Sequence, residues 1–168
     1  EGGKKTLADY FNVPKDIYPV GRLDYDSEGL LILTNDKKLN HRLLHPTFKH
    51  EREYWVQVDG AITENAIQQL RNGVTIDGKI YATKKSTVEF FENEPKVAIR
   101  NPPIRERKNI PAPWIKMILQ EGKNRQVRKM TASVGFPTLR LIRYRIEQIT
   151  LADLQTGEML ELSAKNLY

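Results

Sequence analysis

Three carboxylates, Asp24, Asp26 and Glu28, stand within five residues in the segment Gly21-Arg22-Leu23-Asp24-Tyr25-Asp26-Ser27-Glu28-Gly29-Leu30-Leu31. Carboxylates gathered in this way either ligate a hard cation or act on a substrate as base or nucleophile. The spacing Asp24-x-Asp26-x-Glu28-Gly29 copies the first half of a calcium loop, but the twelfth position is Asn35, which has no bidentate carboxylate to offer. Leu30 to Leu33 also reads as a strand where such a loop must continue, and Pro19 and Gly21 spoil an incoming helix. Calcium binding is therefore rejected. The ordinary reading of Asp24 is a turn cap or a local partner of Arg22. Two features favour chemistry instead. The turn feeds directly into an apolar strand, which places Asp24 at the rim of the core, where a carboxylate is held rigidly and partly dried. The densest cationic segment of the chain is also available to pair with it.

That segment runs from Gly122 to Arg145 and contains Lys123, Arg125, Arg128, Lys129, Arg140, Arg143 and Arg145, seven of the 27 basic residues, with no acidic residue among them. A helix starting at Asn124 would set Val127, Met130 and Val134 on one side and Arg125, Arg128 and Lys129 on the other, as a cationic ridge. On the strand that follows, Arg143 and Arg145 would share a face and Arg140 would take the opposite one. A solvated helix surface with a charge-protected sheet edge accounts for this pattern. A surface that tracks phosphates accounts for it as well, and the lack of acid favours that second reading. His41 and His45 are four residues apart and His50 follows, but no third ligand is suitably spaced and no Glu lies between the first two, so these side chains read as exposed or RNA-facing rather than as a zinc site.

The whole-chain figures agree with a folded protein of modest positive charge. Its 168 residues are 39% hydrophobic and 29% charged, with a formal net charge of +6 and a pI near 9.5. The absence of cysteine excludes a disulfide scaffold, a Cys-ligated zinc site, an iron–sulfur cluster and a thiol nucleophile. No apolar run approaches the roughly 18 residues of a membrane span, and the first twenty residues have no apolar signal core. The expected compartment is the cytoplasm.

Several elements must position the candidate groups. Leu30 to Thr34 reads as a short buried strand. Asp36 then caps a helix with Leu39, Leu43 and Leu44 at helical spacing, stopped by Pro46. Tyr54 to Val58 alternates as a half-buried strand. Thr63 caps a second helix, which carries Ala66, Ile67 and Leu70 on one face and closes at Gly73. Val74 to Ile76, Tyr81 to Phe91 and Val97 to Arg100 read as strands. Four prolines in residues 101–113 mark an exposed irregular loop. Trp114 to Leu119 is again a strand, Asn124 to Val134 a helix, and Leu139 to Ile149 a strand. This order predicts an α+β fold with a mainly antiparallel mixed sheet rather than a doubly wound one.

The segment from Gly21 to Asp36 resembles the catalytic motif of the pseudouridine synthases of the ribosomal small-subunit synthase A family. Glu121-Gly122-Lys123-Asn124-Arg125-Gln126-Val127-Arg128-Lys129-Met130 resembles that family's second signature, and Tyr54, within Arg52-Glu53-Tyr54-Trp55-Val56, matches its Tyr position. The three motifs occur in family order. Thr131 to Arg143 resembles most closely the branch that acts on large-subunit 23S rRNA. Arg52 stands where the family usually has Lys, and Glu147 where a Gly is common, at a turn.

The resemblance implies a pseudouridine synthase fold with a central active-site cleft, residues 1–168 forming a single catalytic domain without the S4 RNA-binding domain of most branches. It implies an isomerase that breaks the uridine N1–C1′ bond, turns the uracil and rejoins it through C5. Asp24 would be the catalytic carboxylate, as nucleophile or as base toward the ribose. Arg128 would be its basic partner, and Tyr54 would stack on the base. A uridine within folded RNA must be flipped out, at a cost of about a few kcal/mol, so a surface that grips the RNA backbone is needed. Its candidates are Arg22, Lys123, Arg125, Gln126, Lys129, Arg140 and Arg143. Neither metal nor cofactor is expected, and the expected partner of this monomer is 23S rRNA. The rival is a non-catalytic rRNA-binding or ribosome-assembly module that uses the 122–145 face.

Overall fold

The computed structural model describes residues 4–163 and 165. Its strands and α-helices follow in the order β1 (Tyr18–Pro19), β2 (Glu28–Gly29), β3 (Leu33–Thr34), α1 (Lys37–Leu44), β4 (Arg52–Val58), α2 (Glu64–Asn72), β5 (Thr75–Ile76), β6 (Tyr81–Ala82), β7 (Thr87–Phe90), β8 (Trp114–Leu119), α3 (Gln126–Ser133), β9 (Thr138–Ile146) and β10 (Ile149–Thr150). The main sheet has the order β10-β9-β4-β8-β7, all antiparallel, and β2 adds to β9 in parallel at Glu28↔Ile142 and Gly29↔Arg143. Two small hairpin sheets, β1 with β3 and β5 with β6, complete the α+β architecture.

Local chemistry explains the helices. Asp36 Oδ1 accepts the amides of Lys38 and Leu39 at 2.9 and 3.1 Å, and α1 then buries Leu39 and Leu43. Thr63 Oγ1 accepts the Ala66 amide at 3.1 Å, and α2 buries Ala66, Ile67 and Leu70. The larger core packs these α2 residues with Val56, Val58, Met117, Leu119, Val127 and Met130. A smaller core joins Val20, Leu30, Leu39, Leu43 and Ile146 beneath the acidic turn. β9 serves both, through Leu141 and Ile146.

Five expectations are corrected, the first being the strand over 139–149, which ends at Ile146 because Glu147 turns the chain and Ile149–Thr150 folds back on β9 as β10. Of the strand predicted over 30–34 only Leu33–Thr34 forms, as β3, because the residues just before the predicted span, Glu28–Gly29, are drawn onto β9 as β2. The predicted strand over 81–91 splits into β6 and β7. Residues 97–100 form no strand: Ala98 gives its carbonyl to Arg140 Nη2 at 2.8 Å instead, and Ile99 is 94% exposed. The third helix starts at Gln126 rather than Asn124, because Arg125 is left-handed at φ 52° and occupies the N-cap.

Candidate active site

Asp24 lies on a tight turn, where the Ser27 amide donates to the Asp24 carbonyl at 2.9 Å. Its side chain is 32% exposed, accessible from solvent yet flanked by protein. The turn is held by three arginines that are remote in sequence. Arg143 binds both of its ends: Nε donates to the Leu30 carbonyl at 2.8 Å and Nη1 to the Arg22 carbonyl at 3.4 Å. Arg128 holds the middle, with Nη2 donating to the Asp26 carbonyl at 2.8 Å and to Ser27 Oγ at 3.2 Å. Arg125 faces the carboxylates, forking onto both oxygens of Asp26 at 3.0 and 2.8 Å and reaching Asp24 Oδ2 at 3.5 Å.

Gly29 lets this turn close onto the sheet. Its φ is +112°, and a Cβ there would lie 2.4 Å from the Arg143 carbonyl oxygen, inside any allowed contact. The approach permits the Leu30 amide to donate to that same carbonyl at 2.8 Å. Backbone and guanidinium of one residue therefore anchor the acidic turn.

Tyr54 is the cross-strand partner of Arg143 and packs, half-buried, against the larger core. Burial pushes the Arg143 guanidinium below the ordinary arginine value, and its neighbours Tyr54 and Asp24 partly offset that shift. Tyr54, its ladder partner, and more weakly Asp24 thus favour the charged form of this buried guanidinium. Arg143 Nη2 is itself buried with no hydrogen-bond partner. Arg128 is likewise lowered by desolvation, opposed chiefly by Asp26. The Asp26 carboxyl is held below its usual range by the hydrogen bond from Arg125, and that bond raises Arg125 in return.

A second network supports the other signature. Glu121 accepts the Tyr81 hydroxyl, the Lys84 amide at 2.8 Å and Gln126 Nε2 at 2.8 Å. Burial raises the Glu121 carboxyl, but these bonds outweigh burial and leave it below its usual value. Its hydrogen bond pushes Tyr81 up to about 12. Gln126 also accepts the Lys123 amide at 3.0 Å, which shapes the 121–126 turn.

The expected site residues are therefore distributed unequally. Asp24, Arg125 and Arg128 are brought together with Tyr54 behind them. Arg22 and Lys123 are exposed, the latter lying 4.8 Å from the Tyr81 ring. Lys129 is paired with Asp77 at 2.6 Å. Arg128, expected as the direct partner of Asp24, binds the Asp26 carbonyl and Ser27 Oγ and lies 3.6 Å from Asp26 Oδ2, while Arg125 makes the ion pair with Asp24. Gln126, Arg140 and Arg143, expected to grip RNA, are only 4%, 8% and 6% exposed. Arg140 forks onto Glu28 at 2.7 and 3.0 Å.

The expected facing on β9 is also reversed. Glu53 pairs with Arg145 but Tyr54 with Arg143, so Tyr144 is an extra residue in the ladder. Arg145 thereby joins Arg140 on the side that carries Glu53 and Trp55, and Arg143 turns to the other. Tyr144 stacks on Trp55 with ring centroids 4.1 Å apart. Glu147, at the position where Gly was expected, does adopt φ 50°. Its side chain compensates, accepting the Glu51 amide at 2.5 Å and pairing with His50 at 2.8 Å. Among the described residues no three His, Asp or Glu side chains are gathered as a metal site requires.

Residues 2–133 match the RNA pseudouridylate synthase family. The ribosomal large subunit pseudouridine synthase E of Vibrio parahaemolyticus is 51% identical over 95% of this chain and 66% of its own length. That of Xanthomonas campestris is 48% identical over 92% of this chain and 81% of its own length. The dual-specificity RNA pseudouridine synthase RluF of Escherichia coli is 34% identical over 99% of this chain and half of its own length. The chain thus spans about two thirds of the Vibrio relative. A solved structure, described as that of a pseudouridylate synthase, superposes with a TM-score of 0.79 over 96% of this chain and 64% of the other, at 24% identity. At that identity the likeness establishes the fold.

Proposed function

Because the chain belongs to the RNA pseudouridylate synthase family, we propose that it isomerises a specific uridine of large-subunit 23S rRNA to pseudouridine, with Asp24 as the catalytic carboxylate. The observation that carries this reading is a partly exposed carboxylate on a turn clamped by Arg143 and Arg128, with Arg125 beside it and Tyr54 across the buried guanidinium. An active-site group held in this way needs no reorganisation when the substrate arrives.

In the reaction the N1–C1′ bond breaks, the uracil turns, and a C5–C1′ bond forms as C5 gives up its proton and N1 gains one. No electron acceptor and no phosphoryl donor enters that balance, so protein groups suffice. Asp24 acts on the ribose side. Tyr54 faces the base and is a candidate to accept the C5 proton. Arg125 orients the carboxylate, while Arg128 and Arg143 act through the backbone of the turn and are positioning residues. Arg22, Lys123 and Arg125, the exposed members of the expected set, meet RNA at the site, and Lys129 joins them when its link to Asp77 opens.

We place this activity in one catalytic domain, a reading supported by the main sheet, whose strand β9 feeds both cores. No helix among the described residues is long and apolar enough to cross a membrane. The proposed setting is a cytoplasmic monomer acting on rRNA. The deciding experiment is Asp24→Asn assayed on transcribed 23S rRNA. All pseudouridine formation should vanish while the fold and RNA affinity persist. Undiminished modification would refute the assignment and return the chain to the class of RNA-binding modules.

A further inference from the structure

Residues 37–50 contain four Lys or Arg, three His and no acidic residue. α1 commits Leu39 and Leu43 to the smaller core, which turns Lys37, Lys38, His41 and Arg42 outward. The rings beyond them form a row. His41 and His45 have centroids 5.0 Å apart, His45 and Phe48 6.1 Å, and Phe48 and His50 6.1 Å in a stacked arrangement. Phe48 is 48% exposed, and with Lys37, Lys38, His41 and Arg42 it lines an open hollow of about 590 Å³. Among the described residues Lys37, Lys38 and Lys49 have no acidic partner.

The helix that carries this surface ends against the turn of Asp24 and the strand of Tyr54. A Cβ on Gly21, three residues before Asp24, would lie 3.2 Å from Leu44 Cδ2 at the end of α1. Arg52, two residues before Tyr54, donates to the Leu43 carbonyl at 2.9 Å.

Cations that track phosphates, interleaved with exposed ring faces on which bases stack, form the chemistry that recognises unpaired nucleic acid. An acidic protein would use the cations and leave the row of rings without a role. We infer that the α1 hollow is a second RNA-binding surface, which takes the unpaired nucleotides flanking the target uridine, one base stacking on Phe48 and the backbone lying on Lys37 and Lys38. The inference rests on the rRNA reading above and adds to it a place on the protein where RNA outside the active site is held.

The test uses the full chain and the shortest 23S fragment that it still modifies, made with and without its unpaired flanks. Phe48→Ala, and separately Lys37→Ala with Lys38→Ala, should each weaken binding of the flanked RNA about tenfold. The lysine pair should also lower the slope of log affinity against log salt by about 1.4, from two single-strand phosphate contacts. Neither change should alter affinity for the unflanked fragment or the rate at saturating RNA. Equal binding of the flanked RNA by wild type and both variants overturns the inference. So does a defect seen only on ribosomal particles and not on naked RNA, which would assign the hollow to a protein partner. If the wild-type chain modifies no 23S fragment at all, the parent reading fails and this one falls with it. Unchanged melting temperatures show that the exposed substitutions leave the fold intact.

Discussion

Residues 122–145 and residues 37–50 are both basic and both free of Asp and Glu, yet the fold treats them in opposite ways. In the first stretch nearly every cation meets an acid or a carbonyl from elsewhere: Arg125 meets Asp24 and Asp26, Lys129 meets Asp77, Arg140 meets Glu28, Arg145 meets Glu51 and Glu53, and Arg143 is buried against Leu30 and Arg22. In the second stretch, Lys37, Lys38 and the rings of His41, His45 and Phe48 remain outside, and only His50 turns inward to Glu147. An acid-free run in sequence is thus no guide to free positive charge in space. The first stretch uses most of its charge inside the fold, on the turn proposed as catalytic and on nearby acids, and the second leaves its charge at the surface, where the RNA contact is proposed.

That contrast can be broken or sharpened by substitution. The largest effect is expected at Arg143. Arg143→Met removes both guanidinium bonds to the ends of the Asp24 turn and leaves the Leu30 and Arg22 carbonyls without that donor, costing about 2 kcal/mol of stability. Pseudouridine formation should fall about 100-fold, through kcat rather than KM, because the carboxylate loses its geometry. Arg143→Lys should not restore the rate, since an ammonium does not span two carbonyls as a fork does. A defect confined to KM would return Arg143 to the RNA-gripping set.

A smaller effect concerns the Tyr81 and Glu121 pair beneath the 121–126 turn. Tyr81 titrates near 12 in the folded chain against 10.0 for a free tyrosine. The folded state therefore keeps a proton that the unfolded state releases, and the stabilisation linked to the Tyr81 proton, present below pH 10, is lost as pH rises toward 12. Tyr81→Phe should flatten the alkaline limb of the stability curve and remove one late step from the tyrosinate absorbance titration. An unchanged titration would show that the hydrogen bond is not formed.

The smallest effect belongs to the second stretch. Lys37→Ala and Lys38→Ala should change stability by no more than about 0.5 kcal/mol in chemical denaturation, whatever they do to RNA binding. A loss above about 1 kcal/mol in either would mean that these lysines are structural after all, and the contrast would collapse.

Much of the framework was legible from local signals. α1, α2 and β8 were expected near their observed bounds, because a capping side chain or an alternating apolar pattern marks such elements from within. The pairing of residues 28–29 with β9 was not legible, since it depends on a strand more than 100 residues away and on Gly29 fitting against its backbone. Within the site, Asp24 could be singled out as a carboxylate at the end of a turn, and the family motifs supplied Tyr54 and Arg128. The roles of Arg125 and Arg143 could not be read in this way. One depends on a left-handed backbone at the helix cap, and the other on a bulge.

The sequence by itself determined the family, the order of most elements and which carboxylate to propose as catalytic, because each of these is written in short runs of neighbouring residues. Only the tertiary structure decided which cations would be neutralised. Electrostatic pairing depends on separation in space, and acids at Asp26, Glu28 and Asp77 were brought to arginines and lysines far along the chain. One extra residue in a strand, Tyr144, then sufficed to send Arg143 inward and Arg145 to the opposite face. A strand alternates sides at every residue, so a shift of one reverses the fate of a side chain.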